Sequence, residues 1–367
     1  MDADQIRPKS RLRRFLKWTL FGLVGLVALL VVAGLLVANS QDGSIRLLQS
    51  YLYSQWGYPA NSFEPRSAYA DKLRPDGVRI RSNVRYGTRY PNSFLDIWYP
   101  SADDRIARPT IIYIHGGGFF MGDKVEGDPL AAGRSNAAGT GIDTLVKAGF
   151  NVVSIDYAFA PAYRYPVPLR QLDAAIEHLS ANAERYGLDM TNVVIMGGSA
   201  GAQMSAQYGL LLSNPGYAKD VGIQPSIARS SVKGLVIFAA PMKVSGFGWR
   251  MNAMMWAYLG TKDLESSKQA LQMDLVRHIG PDYPATYVTD GNQPDTFPTH
   301  AKAMAAKLRE QKVDHVFNYY EEDVARLDHG YTARLDTKQG RENMDRAIAF
   351  IRERTLGHQA PVAGPKS

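Results

Sequence analysis

Beyond residue 78, short runs of β-forming residues alternate with longer segments of helical periodicity. Three runs, "FNVVSIDY" (150–157), "NVVIMG" (192–197) and "VKGLVIFAA" (232–240), are almost continuously apolar, which is typical of parallel strands covered on both faces. Helical spacing of apolar residues marks four segments, 169–187, 202–212, 300–311 and 341–354. The alternation predicts an α/β fold with a mostly parallel central sheet flanked by helices.

Shorter segments complete the predicted sheet. "TIIYIH" (110–115), "ATYVTD" (285–290) and "VFNYY" (316–320) have the composition of strands. "VRIRSNVRYG" (78–87) and "SFLDIWYP" (93–100) alternate apolar with polar residues, and this pattern predicts an antiparallel hairpin at the sheet edge.

An uncharged run, "WTLFGLVGLVALLVVAGLLVA" (18–38), precedes this domain. As a helix it would span about 31 Å, the thickness of a bilayer's hydrocarbon core. Residues 1–17 contain six basic and two acidic residues, and positive charge before an apolar span keeps that end in the cytoplasm. We therefore expect a single-pass membrane protein whose main domain lies on the periplasmic or extracellular side. A signal peptide cleaved at "ANS" (38–40) is the alternative.

The net charge of +7 is concentrated at the N-terminus. Residues 1–17 carry +4, so the other 350 residues carry only +3, which is too little to predict a nucleic-acid-binding surface. The chain has no cysteine, and this excludes disulfides, thiolate metal sites and cysteine nucleophiles. Because no H-E-x-x-H or similar ligand spacing is present, the sequence predicts neither a metal nor a cofactor.

Composition divides the chain into five segments. They are a basic cytoplasmic N-terminus at 1–17, a transmembrane signal-anchor at 18–38, a stalk or partial cap at 39–77, the α/β domain at 78–355 and a flexible tail at 356–367. The sequence leaves the oligomeric state open.

"GGSAG" (197–201) lies between a predicted buried strand and a predicted helix. A serine at such a tight turn is pushed out at the top of the sheet, and Gly197 and Gly201 remove side chains where strand and helix pack closely. The segment therefore predicts a nucleophile elbow in which Ser199 is the nucleophile.

"HGGGFFMGD" (115–123) follows the strand "TIIYI" directly. Its three successive glycines bare backbone N–H groups, which can point at an oxyanion that forms beside the nucleophile. No lysine and hydroxyl residue follow at the spacing of a phosphate-binding loop. We expect His115 to brace this loop and not to act as the base.

Three motifs together resemble a known family. "HGGGF", "DYAFAPAYRYPVP" (156–168) and "GGSAGA" stand in the order found in the α/β-hydrolase esterases related to hormone-sensitive lipase and in the acetylesterase-like carboxylesterases. The resemblance covers about residues 78–355 and implies the α/β-hydrolase fold. It also implies that the backbone N–H groups of Gly117, Gly118 and Ala200 form the oxyanion hole.

Two positions depart from the pattern of this family. Gly198 stands where an aspartate usually precedes the serine, and Ala162 stands where a glutamate usually follows "AP". The resemblance therefore gives little information about the substrate.

A serine nucleophile needs a base, and in this fold the triad follows the order serine, acid, histidine. Of the seven histidines, His329 in "RLDHGYT" follows the last predicted strand and precedes the last predicted helix, where the base belongs. The others lie before the serine, inside or at the start of an element, before the strand that should carry the acid, or in the tail. We expect His329 to be the base.

The loop after "ATYVTD" offers two candidates for the acid that orients the histidine. "PDTFP" resembles the Asp-x-x-Pro of the family at this loop, and Asp295 lies further from the strand, where it can reach across the top of the sheet. We expect Asp295 to be the acid, with Asp290 as the alternative.

These residues predict a serine carboxylic-ester hydrolase (EC 3.1.1) that acts on small-molecule esters. The resemblance of "GDK" (122–124) and the other short motifs to acetylesterases implies small acyl groups. A membrane-anchored acyltransferase or deacetylase of envelope glycans would use the same triad. A catalytically silent hydrolase scaffold for interactions is the alternative from another class. The Met- and Trp-rich segment 241–273 is predicted to be either a partial lid or core.

Overall fold

A nine-stranded sheet forms the centre of the computed structural model, which describes residues 9–40, 42–103, 106, 108–125 and 137–357. The strands are β1 (Ala70–Leu73), β2 (Arg79–Arg85), β3 (Phe94–Tyr99), β4 (Arg108–Ile114), β5 (Asn151–Ile155), β6 (Leu188–Gly198), β7 (Val232–Phe238), β8 (Thr286–Thr289) and β9 (His315–Asn318). The helices are α1 (Lys9–Asn39), α2 (Gly43–Trp56), α3 (Ala137–Lys147), α4 (Val167–Ala181), α5 (Ala183–Tyr186), α6 (Ala200–Ser213), α7 (Pro215–Val221), α8 (Trp249–Leu259), α9 (Lys268–Gln272), α10 (Pro298–Glu310) and α11 (Lys338–Leu356).

The sheet order is β1-β2-β3-β5-β4-β6-β7-β8-β9. Strands β4 to β9 pair in parallel, whereas β1, β2 and β3 form an antiparallel edge against β5. The predicted α/β class and the antiparallel pairing of β2 with β3 are confirmed. The edge itself is β1, which belongs to the segment 39–77 predicted as a stalk or partial cap. The predicted helix 169–187 is wrong as one element, because the chain breaks at Asn182 into α4 and α5.

The central strands are apolar throughout because helices cover both faces of the sheet. Successive side chains of a strand point to opposite faces, so Val194 packs in the cluster that includes α3 and α11, and Ile195 packs in the cluster that includes α4, α6 and α10. Both side chains are fully buried. Burial on both faces removes the alternation that marks the edge strands.

Helix α1 contains the long uncharged run of the N-terminal region. Residues Arg13–Asn39 are long and apolar enough to cross a membrane, with a mean hydropathy of 2.9, and none of this helix is buried against the rest of the chain. In the described part of the chain it is the one helix that meets this criterion. The predicted tail lies outside the described residues from 358 onward.

The register of the parallel strands brings their carboxyl ends together. Ile114 of β4 lies beside both Ile155 of β5 and Gly197 of β6. On the other side, Phe238 of β7 lies beside Gly198 and Thr289. The residues that follow β4, β5, β6, β7 and β8 therefore emerge at one edge of the sheet.

Helix α6 touches the sheet backbone at its first turn. A Cβ atom on Gly201 would overlap the carbonyl oxygen of Ile114 and lie 2.6 Å from that of His115. A Cβ on Gly197 would overlap the carbonyl carbon of Gly201. Glycine at position 201 thus permits the close approach of α6 to β4, and glycine at position 197 permits its close approach to β6.

This packing predicts different responses at two glycines of one motif. In Gly201→Ala, the better helix propensity of alanine is worth about 1 kcal/mol, but overlap with rigid backbone forces helix and strand apart, and we expect a net destabilisation of about 1–3 kcal/mol. Gly198→Ala is the matched control, because a Cβ there meets nothing within 4 Å. Thermal unfolding of the full chain in detergent measures both. Equal melting temperatures for the two variants would contradict the packing argument.

Candidate active site

Ser199 occupies the turn between β6 and α6. Its backbone has φ 53° and ψ −118°, a conformation that a non-glycine residue rarely adopts and that costs on the order of 1 kcal/mol or more. Two backbone hydrogen bonds hold it: Ser199 N–H donates to Phe238 O at 2.8 Å, and Gln203 N–H donates to Ser199 O at 2.9 Å. The residue is 8% exposed. The turn therefore has the strained, strand-to-helix form of a nucleophile elbow.

His329 and Ser199 line the same small cavity, which has a volume of about 50 Å³. Gly198, Phe238 and Ala239 form part of its wall. The ring of Phe297 lies edge-on to His329, with 5.6 Å between ring centroids. The structure thus brings the predicted nucleophile and the predicted base together from segments 130 residues apart in sequence.

The other histidines of the described ranges have roles elsewhere. His300 accepts a hydrogen bond from Met242 N–H at 3.1 Å, and burial, with a smaller effect of Lys243, lowers the pKa of His300 to about 4. Each of the remaining four has a ring nitrogen within hydrogen-bond distance of an oxygen atom. The pairs are His115 with Gly116 O, His178 with Tyr186 OH, His278 with Leu271 O, and His315 with Val313 O. His358 lies outside the described residues.

Both candidate acids lie beside His329. Asp295 is exposed, and its Oδ2 accepts a hydrogen bond from the backbone N–H of His329 at 3.3 Å. Asp290 is fully buried, and its Oδ1 accepts from Gly291 N–H at 2.8 Å and Phe297 N–H at 3.3 Å. Burial raises the pKa of Asp290 to about 7, although the positive charge of His329 opposes this effect. The structure brings both carboxyl groups to the histidine.

The segment after β4, residues 115–122, is called the glycine loop below. It turns because the carbonyl oxygen of Gly117 accepts hydrogen bonds from Phe120 N–H and Met121 N–H, both at 3.1 Å. Gly117 has φ 105° and Gly118 φ 61°, conformations that favour glycine. A Cβ on Gly117 would also overlap the carbonyl oxygen of Met121.

The glycine loop lies next to the start of α6 because Ile114 and Gly197 are paired across β4 and β6. Ala200 is the first residue of α6, and the free N–H groups at a helix N-terminus favour negative charge nearby. The three predicted oxyanion donors, Gly117, Gly118 and Ala200, therefore belong to two segments that leave the sheet side by side.

Phe119 in the glycine loop is a strained residue held by several contacts. It has φ 65° and is fully buried, and a positive φ is rare for a bulky residue. Its ring stacks on Tyr258 of α8 with 3.8 Å between centroids and 2° between planes. Its carbonyl oxygen accepts Ala160 N–H at 2.9 Å. The segment 241–273 thus packs on the glycine loop through Tyr258.

His115 lies inside the loop, where it is fully buried and stacked on Tyr157 with 4.3 Å between centroids. Tyr157 OH donates to the carbonyl oxygens of His115 at 3.0 Å and Gly116 at 3.3 Å. The His115 Nε2 atom lies 4.0 Å from Asp156 Oδ1. His115 therefore braces the backbone of the loop.

A buried cluster of charges behind the glycine loop was not predicted from the sequence. Lys124 is 5% exposed, and its Nζ lies 3.0 Å from Asp156 Oδ2 and 3.8 Å from Asp96 Oδ1. Arg66 pairs with Asp123 at 2.5 Å. The signal in the sequence was weak, because only Asp123 and Lys124 are adjacent and the other members come from three separate segments.

The charges of this cluster shift one another's pKa values. Burial raises the pKa of Asp96 to about 6 and that of Asp123 to about 6. Burial alone would lower the pKa of Lys124, but Asp156, Asp96 and Asp123 together raise it above its ordinary value. Lys124 is therefore a permanent buried cation that ties Asp156, which follows β5, to the end of the glycine loop.

Within the described ranges, no group of three or more His, Asp or Glu side chains is arranged to hold a metal ion.

Comparison with known proteins gives the family of this chain. Residues 95–308 match the BD-FAE family. Carboxylesterase NlhH of Mycobacterium tuberculosis is 34% identical over 130 residues, which are 35% of this chain and 35% of that protein. Esterase LipC of the same organism is 28% identical over 205 residues, which are 54% of this chain and 46% of that protein. The chain thus matches less than half the length of these curated relatives.

Solved structures of two esterases share the fold. Esterase B from Lactobacillus rhamnosis has a TM-score of 0.64 at 17% identity, and the superposition covers 86% of this chain and 96% of that one. The thermophilic carboxylesterase EstE1, cloned from a metagenomic library, has a TM-score of 0.59 at 19% identity, with 87% and 99% covered. The predicted α/β-hydrolase fold and the resemblance to α/β-hydrolase esterases are confirmed. Because the family match extends over more than half of its residues, the chain belongs to the BD-FAE family.

Proposed function

We propose that this protein is a carboxylesterase-type serine hydrolase with Ser199 as its nucleophile. The observation that carries the proposal is the strained turn of Ser199, which faces the same cavity as His329. The fold similarity to esterases, and relatives that are named esterases or carboxylesterases, support the same reaction class. The chain matches less than half the length of these relatives, so their substrates are not carried over to it. The proposed substrate therefore rests on the site alone.

The chemistry follows from the positions of the groups. His329 removes the proton of the Ser199 hydroxyl as its oxygen bonds to the ester carbonyl carbon, and the N–H groups of Gly117, Gly118 and Ala200 stabilise the resulting oxyanion. Collapse of the tetrahedral intermediate breaks the bond to the alcohol, which leaves with the proton from His329. Water, deprotonated by His329, then attacks the acyl carbon. The bond from that carbon to the Ser199 oxygen breaks, the acid leaves, and His329 returns its proton to Ser199. Asp295 orients His329 and stabilises its charged form.

Short acyl groups are the proposed substrates. A cavity of about 50 Å³ beside Ser199 has room for only a few water-sized groups. Larger ligand pockets in proteins have volumes of about 300–1,000 Å³. The small volume favours acetyl or similarly short chains over long ones.

Ser199→Ala is expected to abolish hydrolysis of p-nitrophenyl esters, because the acyl-enzyme can no longer form. A series of esters from acetate to long chains, hydrolysed by the full chain in detergent, measures both the dependence on the serine and the acyl preference. We expect the highest kcat/KM at the short end. If Ser199→Ala were as active as the unchanged chain, Ser199 would not be the nucleophile. An optimum at long acyl chains would contradict the short-acyl proposal.

Asp295→Asn and Asp290→Asn separate the two candidate acids. We expect Asp295→Asn to lower kcat by about 10³–10⁴, as loss of the orienting carboxylate does in such triads. Asp290→Asn keeps the Oδ1 acceptor for Gly291 and Phe297 and resembles the protonated acid that burial favours, so we expect a loss of less than about tenfold. The reverse order of the two kcat values would transfer the role to Asp290.

We also propose that residues 18–38 cross the bilayer and hold the hydrolase domain on the non-cytoplasmic side. The helix Arg13–Asn39 has the required length and hydropathy, and the basic residues precede it.

The absence of cysteine makes the topology measurable with single introduced thiols. Ser266→Cys lies at an exposed position of the hydrolase domain, and Ser10→Cys lies before the apolar run. In intact spheroplasts, a membrane-impermeant maleimide is expected to label Ser266→Cys and to label Ser10→Cys only after lysis. Labelling in the opposite order would show the inverted topology, and recovery of the protein in the soluble fraction would exclude the anchor.

A further inference from the structure

Gln49, near the middle of α2, connects two loops of the candidate active site. Its Nε2 donates one hydrogen bond to the carbonyl oxygen of Phe120 at 2.6 Å and another to that of Ala160 at 2.7 Å. A side-chain amide has two N–H donors, so both are used. Phe120 belongs to the glycine loop, and Ala160 belongs to the loop that follows β5.

We propose that Gln49 is a positioning residue, which holds the glycine loop in the shape that oxyanion stabilisation requires. Gln49 hydrogen-bonds the outer carbonyl of the loop and acts on the reaction through it. The inference rests on the proposed function, because it assigns a role to Gln49 in the same hydrolytic site. It makes the helix directly after α1 part of the catalytic apparatus.

The glycine loop needs support from outside because it has little of its own. Gly117 and Gly118 contribute no side chain that could anchor the loop, and glycine is the residue with the most conformational freedom. Phe119 has a positive φ, which is unfavourable for a bulky residue unless other contacts hold it there. Oxyanion donors must be placed to within about 0.5 Å of the productive geometry. The contacts of the loop with its surroundings therefore decide whether its N–H groups are aligned.

Helix α2 is a rigid element for this purpose. Ile45 and Tyr53 bury one side of it, and it packs against α8. Asp42, the residue before α2, pairs with Arg164 at 2.6 Å. The backbone of Gln49 is thus held in place by the packing of α2. Its side-chain hydrogen bond to Phe120 O then holds the glycine loop relative to this helix.

Without the amide, the carbonyl oxygens of Phe120 and Ala160 would lose their Gln49 donor in a region where both residues are only 1% exposed. A buried acceptor without a partner is unfavourable, so we expect the loop to shift until the acceptors find other partners. Complete loss of one oxyanion donor lowers kcat by about 10²–10³. A shift that only misaligns the donors is expected to lower kcat by about tenfold.

The experiment compares three variants of the full chain in detergent micelles. Gln49→Met has a side chain of similar length without donors, Gln49→Asn has the amide one carbon shorter, and Gln55→Met is the matched control at an exposed position of the same helix. The measurements are kcat and KM for p-nitrophenyl acetate, and the inhibition constant of an alkylboronic acid, whose tetrahedral serine adduct places an oxygen where the oxyanion forms.

We expect kcat to fall by about tenfold in Gln49→Met and by less in Gln49→Asn, with KM changed by less than twofold. The boronic acid should bind more weakly by a similar factor, and Gln55→Met should match the unchanged chain. The graded response of Gln49→Asn decides the question if Gln49→Met does not fold.

Unchanged kcat in both Gln49 variants, or a change in KM alone, would overturn the inference, as would an equal loss in Gln55→Met. These outcomes are distinct from failure of the proposed function, which would appear as hydrolysis by the unchanged chain that does not depend on Ser199.

Discussion

The close approach of Gly201 to the carbonyl oxygen of Ile114 sets the position of helix α6 relative to the end of strand β4. A side chain at position 201 would overlap this oxygen, so α6 packs on the end of β4 only because glycine is there. Ser199 stands at the start of α6, and the glycine loop begins directly after Ile114. The same contact therefore fixes the distance between the candidate nucleophile and the groups that would stabilise charge beside it.

Features that depend on local sequence were predicted well, whereas features that depend on long-range packing were not. The apolar strands and the turn at Ser199 follow from patterns within about ten residues of each, whereas His329 was chosen from the order of the triad in the fold. The cluster around Lys124 could not be found this way, because Arg66, Asp96 and Asp156 reach it from separate strands and loops. Helix α2 was also missed, since only two of its residues are buried and its apolar pattern is weak.

Besides Gln49, three other contacts support the glycine loop, and each uses a different interaction. On its inner side, His115 stacks on Tyr157. Toward α8, the ring of Phe119 stacks on Tyr258. At its far end, Lys124 makes a buried ion pair with Asp156. Because a buried ion pair gains little net energy but demands a defined geometry, this last contact contributes more to the shape of the loop than to the stability of the fold.

The junction between α1 and α2 is short, since α1 ends at Asn39 and α2 begins at Gly43. Lys262 contacts the carbonyl oxygen of Asn39, and Asp42 is paired with Arg164, so the hydrolase domain is attached to both sides of the junction. In the proposed topology, these two contacts hold the α/β domain close to the membrane end of α1 at two points rather than one.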